Sequence, residues 1–288
     1  LRYLDVSRLV DTYDQGAATG DVLPVEVTDT VYAGGKKLVT VTGYEYDDLL
    51  QPTVVTVAYP EGETEKTVTR YAAQCSGDFV DAMEERHMVG VPIQVETERV
   101  MEGGSVKVSG NINIFDTGNP ALVKAVYRLE PGGYSGSSYR DGFRIPQEYH
   151  EKYSLVYDAA GNIVQRDAND LPVTTYLWGY GNRYPVAEVK GAAYADVCAA
   201  LGTATVEELG TSSDNAYIRN CIQALREHPL MAGAQVTTFL HRPLTGMTET
   251  VRPDGTKETY TYDGFDRLRA VNRHDGQTVK VYDYHYMD

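Results

Sequence analysis

The chain has 288 residues and a formal net charge of −15. That length can bury a sizeable core, as one large all-β body or as two smaller domains. The acidic balance argues against a phosphate backbone or an anionic membrane as partner, because both need clustered Lys and Arg. Aromatic weight is carried by 23 Tyr against 5 Phe and 1 Trp, a residue that packs its ring while keeping its hydroxyl wet and so suits half-open sheet surfaces.

Up to about residue 75 the pattern is of strands, at residues 22–23, 25–31, 37–46 and 53–58, separated by turns at Ala33-Gly34-Gly35 and Pro60-Glu61-Gly62. Residues 77–88 change period. Phe79, Val80, Met83 and His87 share one face against Asp81, Glu84 and Glu85, which predicts one short amphipathic helix stopped by Gly90. Strands resume at 92–100, a Glu102-Gly103-Gly104 hairpin, 105–114 and 122–129. Pro131 to Tyr139 has loop composition and Arg140 to Glu151 has no clean period, so 131–152 is expected to be a loop or linker between a β-rich region at 1–130 and a second one at 153–288.

The second region contains a helical insert at about 190–235. Tyr194, Val197, Cys198 and Leu201 form one stripe ended by Gly202; Thr205-Val206-Glu207-Glu208 has the form of a capping box; and Ile218, Ile222 and Leu225 form a second stripe before Pro229. Strands resume almost in copy, since Thr237-Thr238-Phe239-Leu240-His241 repeats Thr174-Thr175-Tyr176-Leu177-Trp178. A meander is then predicted at 236–241, 246–251, 257–262, 267–272 and 278–286.

One unit recurs along these strands. Tyr44-Glu45-Tyr46-Asp47, Tyr157-Asp158 with Gly161, Tyr260-Thr261-Tyr262-Asp263 followed by Arg267-Leu268, and Tyr282-Asp283 each run a β-forming stretch into an Asp turn, and Tyr262 and Tyr282 stand 20 positions apart. A hairpin unit of this period cannot bury its own face and must stack on copies of itself. These residues resemble the RHS/YD-repeat family, whose pattern is Gly, several residues, Tyr-x-Tyr-Asp, a turn, then Arg-Leu. Residues 174–188 resemble a block of RHS-like surface proteins of gut bacteria.

The resemblance covers the chain well from about residue 150 and implies an antiparallel hairpin ribbon or meander, open or a partial shell. Asp266 stands where the family usually has Gly, in a loop where Asp tolerates the left-handed conformation. The family's self-cleaving Asp-Pro-x-Gly-Leu core is missing, as no Asp-Pro pair occurs. The resemblance therefore implies the scaffold without autoproteolysis or cargo, in a bacterial protein that is extracellular or on the cell surface. The expectation of no cargo rests on the stop at Asp288 without an effector, and the start at Leu1, without Met or a signal core, leads us to expect an excised or processed piece of something longer.

Chemistry-bearing motifs are sparse. Cys75, Cys198 and Cys221 lack zinc spacing and are expected as small core residues, with one bridge between the helices of Cys198 and Cys221 as the alternative. No two of the six histidines stand at i, i+4, Tyr149-His150-Glu151 has no nucleophile nearby, and Asp167-Ala168-Asn169-Asp170 and Asp11-Thr12-Tyr13-Asp14 lack the EF-hand Gly and Glu. There is no P-loop and no Gly-x-Ser-x-Gly.

The expectation is thus a mainly β, non-enzymatic structural or interaction segment with neither catalytic residues, metal nor cofactor. Its partners are the rest of its own longer chain and a surface glycan or protein, with no nucleic acid and no membrane insertion. The alternative is a carbohydrate-binding module stacking sugars on Tyr157, Trp178 and Tyr180. In the repeats themselves, cross-strand tyrosine ladders and Asp-closed turns explain the motif without a ligand.

Overall fold

A computed structural model describes residues 4–5, 23–101, 104–130 and 138–284. Of the expected features, Val22, the Asp11 to Asp14 pattern, the Glu102-Gly103 turn, the 131–137 loop and the strand end at 285–286 lie outside the described residues. The chain is mainly β with antiparallel pairing, and it divides into two compact units, 1–152 and 153–288.

In the first unit β1 (Leu4–Asp5) pairs with β2 (Glu26–Ala33). From β2 the chain meanders through β3 (Lys36–Tyr46), β4 (Pro52–Ala58), β5 (Thr64–Arg70), β6 (Gln94–Met101), β7 (Gly104–Phe115) and β8 (Val123–Leu129), each strand pairing with the next. Helix α1 (Asp78–Glu85) interrupts the meander and turns Phe79, Val80 and Met83 inward, where they are buried with Ile93, Ile112, Ile114 and Phe115. The helix ends short of Gly90 because His87 takes a left-handed φ of 56°.

The stretch expected as a linker is part of this core from residue 138 onward. β9 (Ser138–Arg140) and β10 (Phe143–Ile145) form a hairpin, and Phe143, Ile145 and Tyr149 are buried, with the Phe143 ring 5.7 Å from that of Phe79. The apolar residues there are spaced too irregularly for a period to show. Burial against α1 organises them instead.

The second unit takes in β11 (Tyr149–Tyr157) from Tyr153 on, then β12 (Ile163–Ala168), β13 (Thr174–Gly179), β14 (Tyr184–Lys190), β15 (Gln235–Arg242), β16 (Gly246–Val251), β17 (Lys257–Tyr262), β18 (Leu268–Arg273) and β19 (Thr278–Val281), again paired in succession. Between β14 and β15 come α2 (Tyr194–Leu201), α3 (Thr203–Thr211) and α4 (Asn215–Glu227). They cover one face of β13 to β15. Val197, Leu209, Ile218, Ile222 and Leu225 pack there against Leu177, Ala187, Val189, Val236 and Leu240, all at 2% exposure or less.

Local signals explain the helix ends. The Asp214 carboxylate accepts the Ala216 N–H at the start of α4, and Pro229 follows its end. The capping box expected at Thr205 is not formed, because α3 starts at Thr203, directly after Gly202 at φ +85°, which places Thr205 inside the helix. The three cysteines are free thiols of intermediate burial.

Candidate functional site

The Asp of three of the repeats closes its turn in one way. At Asp47, Oδ1 accepts the amides of Leu49 (3.0 Å) and Gln51 (2.9 Å); at Asp158, those of Ala160 (2.9 Å) and Asn162 (2.8 Å); at Asp263, those of Phe265 (2.8 Å) and Arg267 (3.0 Å). The residue three positions after each Asp is left-handed, namely Leu50, Gly161 and Asp266, so Asp266 does occupy a glycine-like place at φ 58°. The Arg267 side chain, with the amides of the turn, holds the Asp263 carboxyl below the usual carboxylate range.

The residue before each of these turns carries a ring and sits at a β-bulge. Register shifts fall at Tyr46, Tyr157 and Tyr262, and also at Phe115, Trp178 and His241. A bulge re-aims its side chain along the sheet rather than away from it. Most of these rings use that aim to reach the strand beside them.

Four of these rings place a polar atom on the same kind of partner, a backbone carbonyl near the start of the adjacent strand. Tyr46 Oη donates to Pro24 O (2.8 Å), Tyr262 Oη to Met247 O (2.7 Å), Trp178 Nε1 to Ile163 O (2.9 Å) and His241 Nε2 to Pro185 O (2.9 Å). Tyr71 to Pro52 O (3.2 Å) and Tyr284 to Leu268 O (3.0 Å) repeat the contact at strand ends without a bulge. A carbonyl can only accept, so His241 carries its proton on Nε2. Burial keeps the imidazole below its ordinary range, which suits that neutral donor.

Around Tyr262 the contact is reinforced. Arg242 lies over the ring at 5.6 Å and pairs with Asp266. A Cβ on Gly246, whose φ is +150°, would collide with the Tyr262 hydroxyl. At the next step Arg267 lies 4.5 Å over the Tyr284 ring.

These contacts redistribute the residues singled out in the sequence. Tyr44 stacks on Tyr46 with ring centres 6.3 Å apart, and Tyr260 lies within 3.3 Å of Glu258 Oε2. Tyr282 continues the ladder through its N–H to Arg269 O while Lys280 covers its ring, and Asp283 follows it exposed, so Tyr284 rather than Tyr282 makes the carbonyl contact. Trp178 and His241 belong to the series although neither is a tyrosine. The copy of Thr174–Trp178 in Thr237–His241 was the signal for them.

The stacking surface expected from Tyr157, Trp178 and Tyr180 is not one surface. Tyr180 is buried, with its ring edge-on to Tyr184 and His241 and its hydroxyl held between the His241 N–H and Asn215. Trp178 instead shares the face not covered by the helices with Tyr176 and Phe239, in a recess of about 330 Å³ that Pro185, Arg166 and Glu188 also line. Among the described residues, no three His, Cys, Asp or Glu side chains converge as metal ligands, and no helix is long and apolar enough to cross a membrane.

No family model and no curated protein matches the chain. Among solved structures it is similar to TcdB2-TccC3 without its hypervariable C-terminal region, at 12% identity and a TM-score of 0.36, and to a Tc holotoxin pore of Photorhabdus luminescens, at 11% and 0.34. The matches cover 89% of this chain but 12% and 14% of those chains. The chain thus spans about an eighth of their length. Likeness at this level carries no functional argument, and the reading below rests on the residues.

Proposed function

We propose that the chain is a non-enzymatic structural and interaction segment of a secreted or cell-surface bacterial RHS/YD-repeat protein, a rigid tyrosine-rich scaffold whose partner is the rest of a longer chain. The observation that carries this reading is the ring-to-carbonyl contact at six strand ends, recurring from Tyr46 to Tyr284. Repetition of this kind serves packing rather than turnover. Of the motif residues, Tyr46, Tyr262, Asp47, Asp158 and Asp263 are engaged with backbone.

The expected result is that Tyr262→Phe and Tyr284→Phe, which keep the ring and remove the donor, each cost about 1 kcal/mol in thermal unfolding. Tyr282→Phe, at a side chain outside the series, should stay within about 0.5 kcal/mol. The reverse ranking would sink the proposal.

A second reading, carbohydrate binding, is favoured by the recess holding Tyr176, Trp178 and Phe239, where flat rings stand beside the charged Arg166 and Glu188. Trp178 is the single tryptophan; it also lines a recess with Tyr194 and Val206, so the Phe239 variant is what ties a fluorescence change to this one. Saturable quenching by an oligosaccharide, lost in Phe239→Ala, is the expected result under this reading; an unchanged spectrum across neutral and acidic glycans dismisses it.

A further inference from the structure

The first unit carries a second feature that the scaffold reading does not use. Where β5 ends and β6 begins, Arg70, Gln94 and Arg144 line two adjoining recesses, of about 550 and 480 Å³. Arg70 comes from the last position of β5, Gln94 from the first of β6 and Arg144 from the middle of β10, so three strands converge on the place.

Its electrostatics run against those of the chain. The molecule is acidic, with a net charge of −15, yet among the described residues neither Arg70 nor Arg144 has a carboxylate partner. No carboxylate lines the second recess. Glu148, which lines the first, pairs at 2.8 Å with Lys107, a lysine it shares with Glu96 at 2.9 Å. Among the described residues the two guanidinium groups at this place are thus without an ion pair of their own.

One of them is also held. Gln94 is buried at 5% exposure, and its Oε1 accepts from Arg70 Nη1 at 2.9 Å. A buried amide accepting one N–H restrains the guanidinium and leaves its other N–H donors available for a ligand. Neutral hydrogen-bonding groups surround the pair, with Gln147 in one recess and Gln74 and Ser76 in the other. Paired forks with neutral donors are the arrangement that captures planar or tetrahedral oxyanions.

We infer that this cleft is a binding site for an oxyanion, a carboxylate or a phosphate or sulfate group, clamped between Arg70 and Arg144. Cys75 supplies an internal reporter. It lines the second recess, and burial pushes its thiol up to about 11 against the pull of nearby Arg70.

The test uses the full chain at low ionic strength, titrated calorimetrically with inorganic phosphate, sulfate and citrate. The expected result is saturable binding of at least one of them with Kd of about 1 mM or tighter, together with slower alkylation of Cys75 by N-ethylmaleimide. Arg144→Gln should weaken binding about tenfold and the double variant Arg70→Gln/Arg144→Gln should abolish it, whereas Arg273→Gln, an exposed position in the other unit, should leave it unchanged. Preference for citrate identifies a carboxylate ligand, and preference for phosphate or sulfate a tetrahedral one. Arg144 is exposed, so Arg144→Gln decides the matter even if the double variant fails to fold. Absence of saturable binding by all three anions, or binding untouched by Arg144→Gln, overturns the inference while leaving the scaffold reading intact.

Discussion

Replacing Gly246 with alanine is expected to cost roughly 2–4 kcal/mol, combining backbone strain at a left-handed φ with overpacking against a ring. The position is unforgiving for two independent reasons. Its φ of +150° disfavours any side chain, and the space a methyl group would fill is taken by the Tyr262 hydroxyl and the ring carbons behind it. The melting temperature should fall by roughly 10 °C.

Pairing the substitution with Tyr262→Phe separates the two causes. Removing the hydroxyl relieves part of the collision and none of the backbone strain, so the double variant should be more stable than the sum of the single costs predicts, by about 1 kcal/mol. Strict additivity would mean that Gly246 is required by its backbone alone. The tyrosine contact would then lose its partner in the argument.

Glu249→Gln is the second substitution with a large expected effect, about 2–3 kcal/mol, and it should change the acid limb of the stability curve. Glu249 on β16 is buried, yet it receives both Nε and Nη2 of Arg219 on α4, at 3.1 and 3.2 Å, together with Lys257 on β17. One carboxylate thus ties a helix to two strands. Burial by itself would raise its pKa, but the Arg219 and Lys257 hydrogen bonds outweigh that and hold it below the usual range.

The sign follows from that direction. A carboxyl whose folded pKa lies below its unfolded value of about 4.3 contributes stability that is complete above that value and is lost as the pH falls through the folded pKa. Unfolding of the wild-type chain should therefore become markedly easier below about pH 4, and the Gln variant, already lacking the charge, should show a flatter acid limb. Denaturant midpoints measured from pH 7 to pH 3 check this. Parallel curves for the two proteins would show that Glu249 is not the group responsible.

How much of this could be read from residues alone varies along the chain. The strands at 246–251 and 257–262 and the helical insert follow from alternation, from turn residues such as Asp254-Gly255 and from two apolar stripes, all of them local signals. Strand β5, Thr-Glu-Lys-Thr-Val-Thr-Arg, is too polar to alternate and is set by pairing on both sides. The hairpin at 138–145 is held by burial of Phe143 and Ile145 under α1, a contact between residues distant in sequence.

The repeat motif was legible as a turn and only partly as a contact. Asp47, Asp158 and Asp263 announce their turns because a short carboxylate readily accepts the amides two and four positions on. The ring contact needs merely an N–H or O–H at the end of a planar side chain, so tyrosine, tryptophan and histidine serve alike. A search for Tyr-Asp therefore passes over Trp178 and His241 and selects Tyr282 instead of Tyr284.

The ring-to-carbonyl contact also determines what the array can tolerate. A slip of one residue would turn the ring to the opposite face, and a slip of two would carry its donor about 7 Å from its acceptor, so each ring proofreads the alignment of adjacent strands. What lies between the two partners is not inspected. The separation is 15 positions for Trp178 and for Tyr262, but 56 for His241, whose interval admits three helices. Such a lattice can accept whole inserted subdomains at its loops and drift widely in strand sequence, provided the rings keep their places.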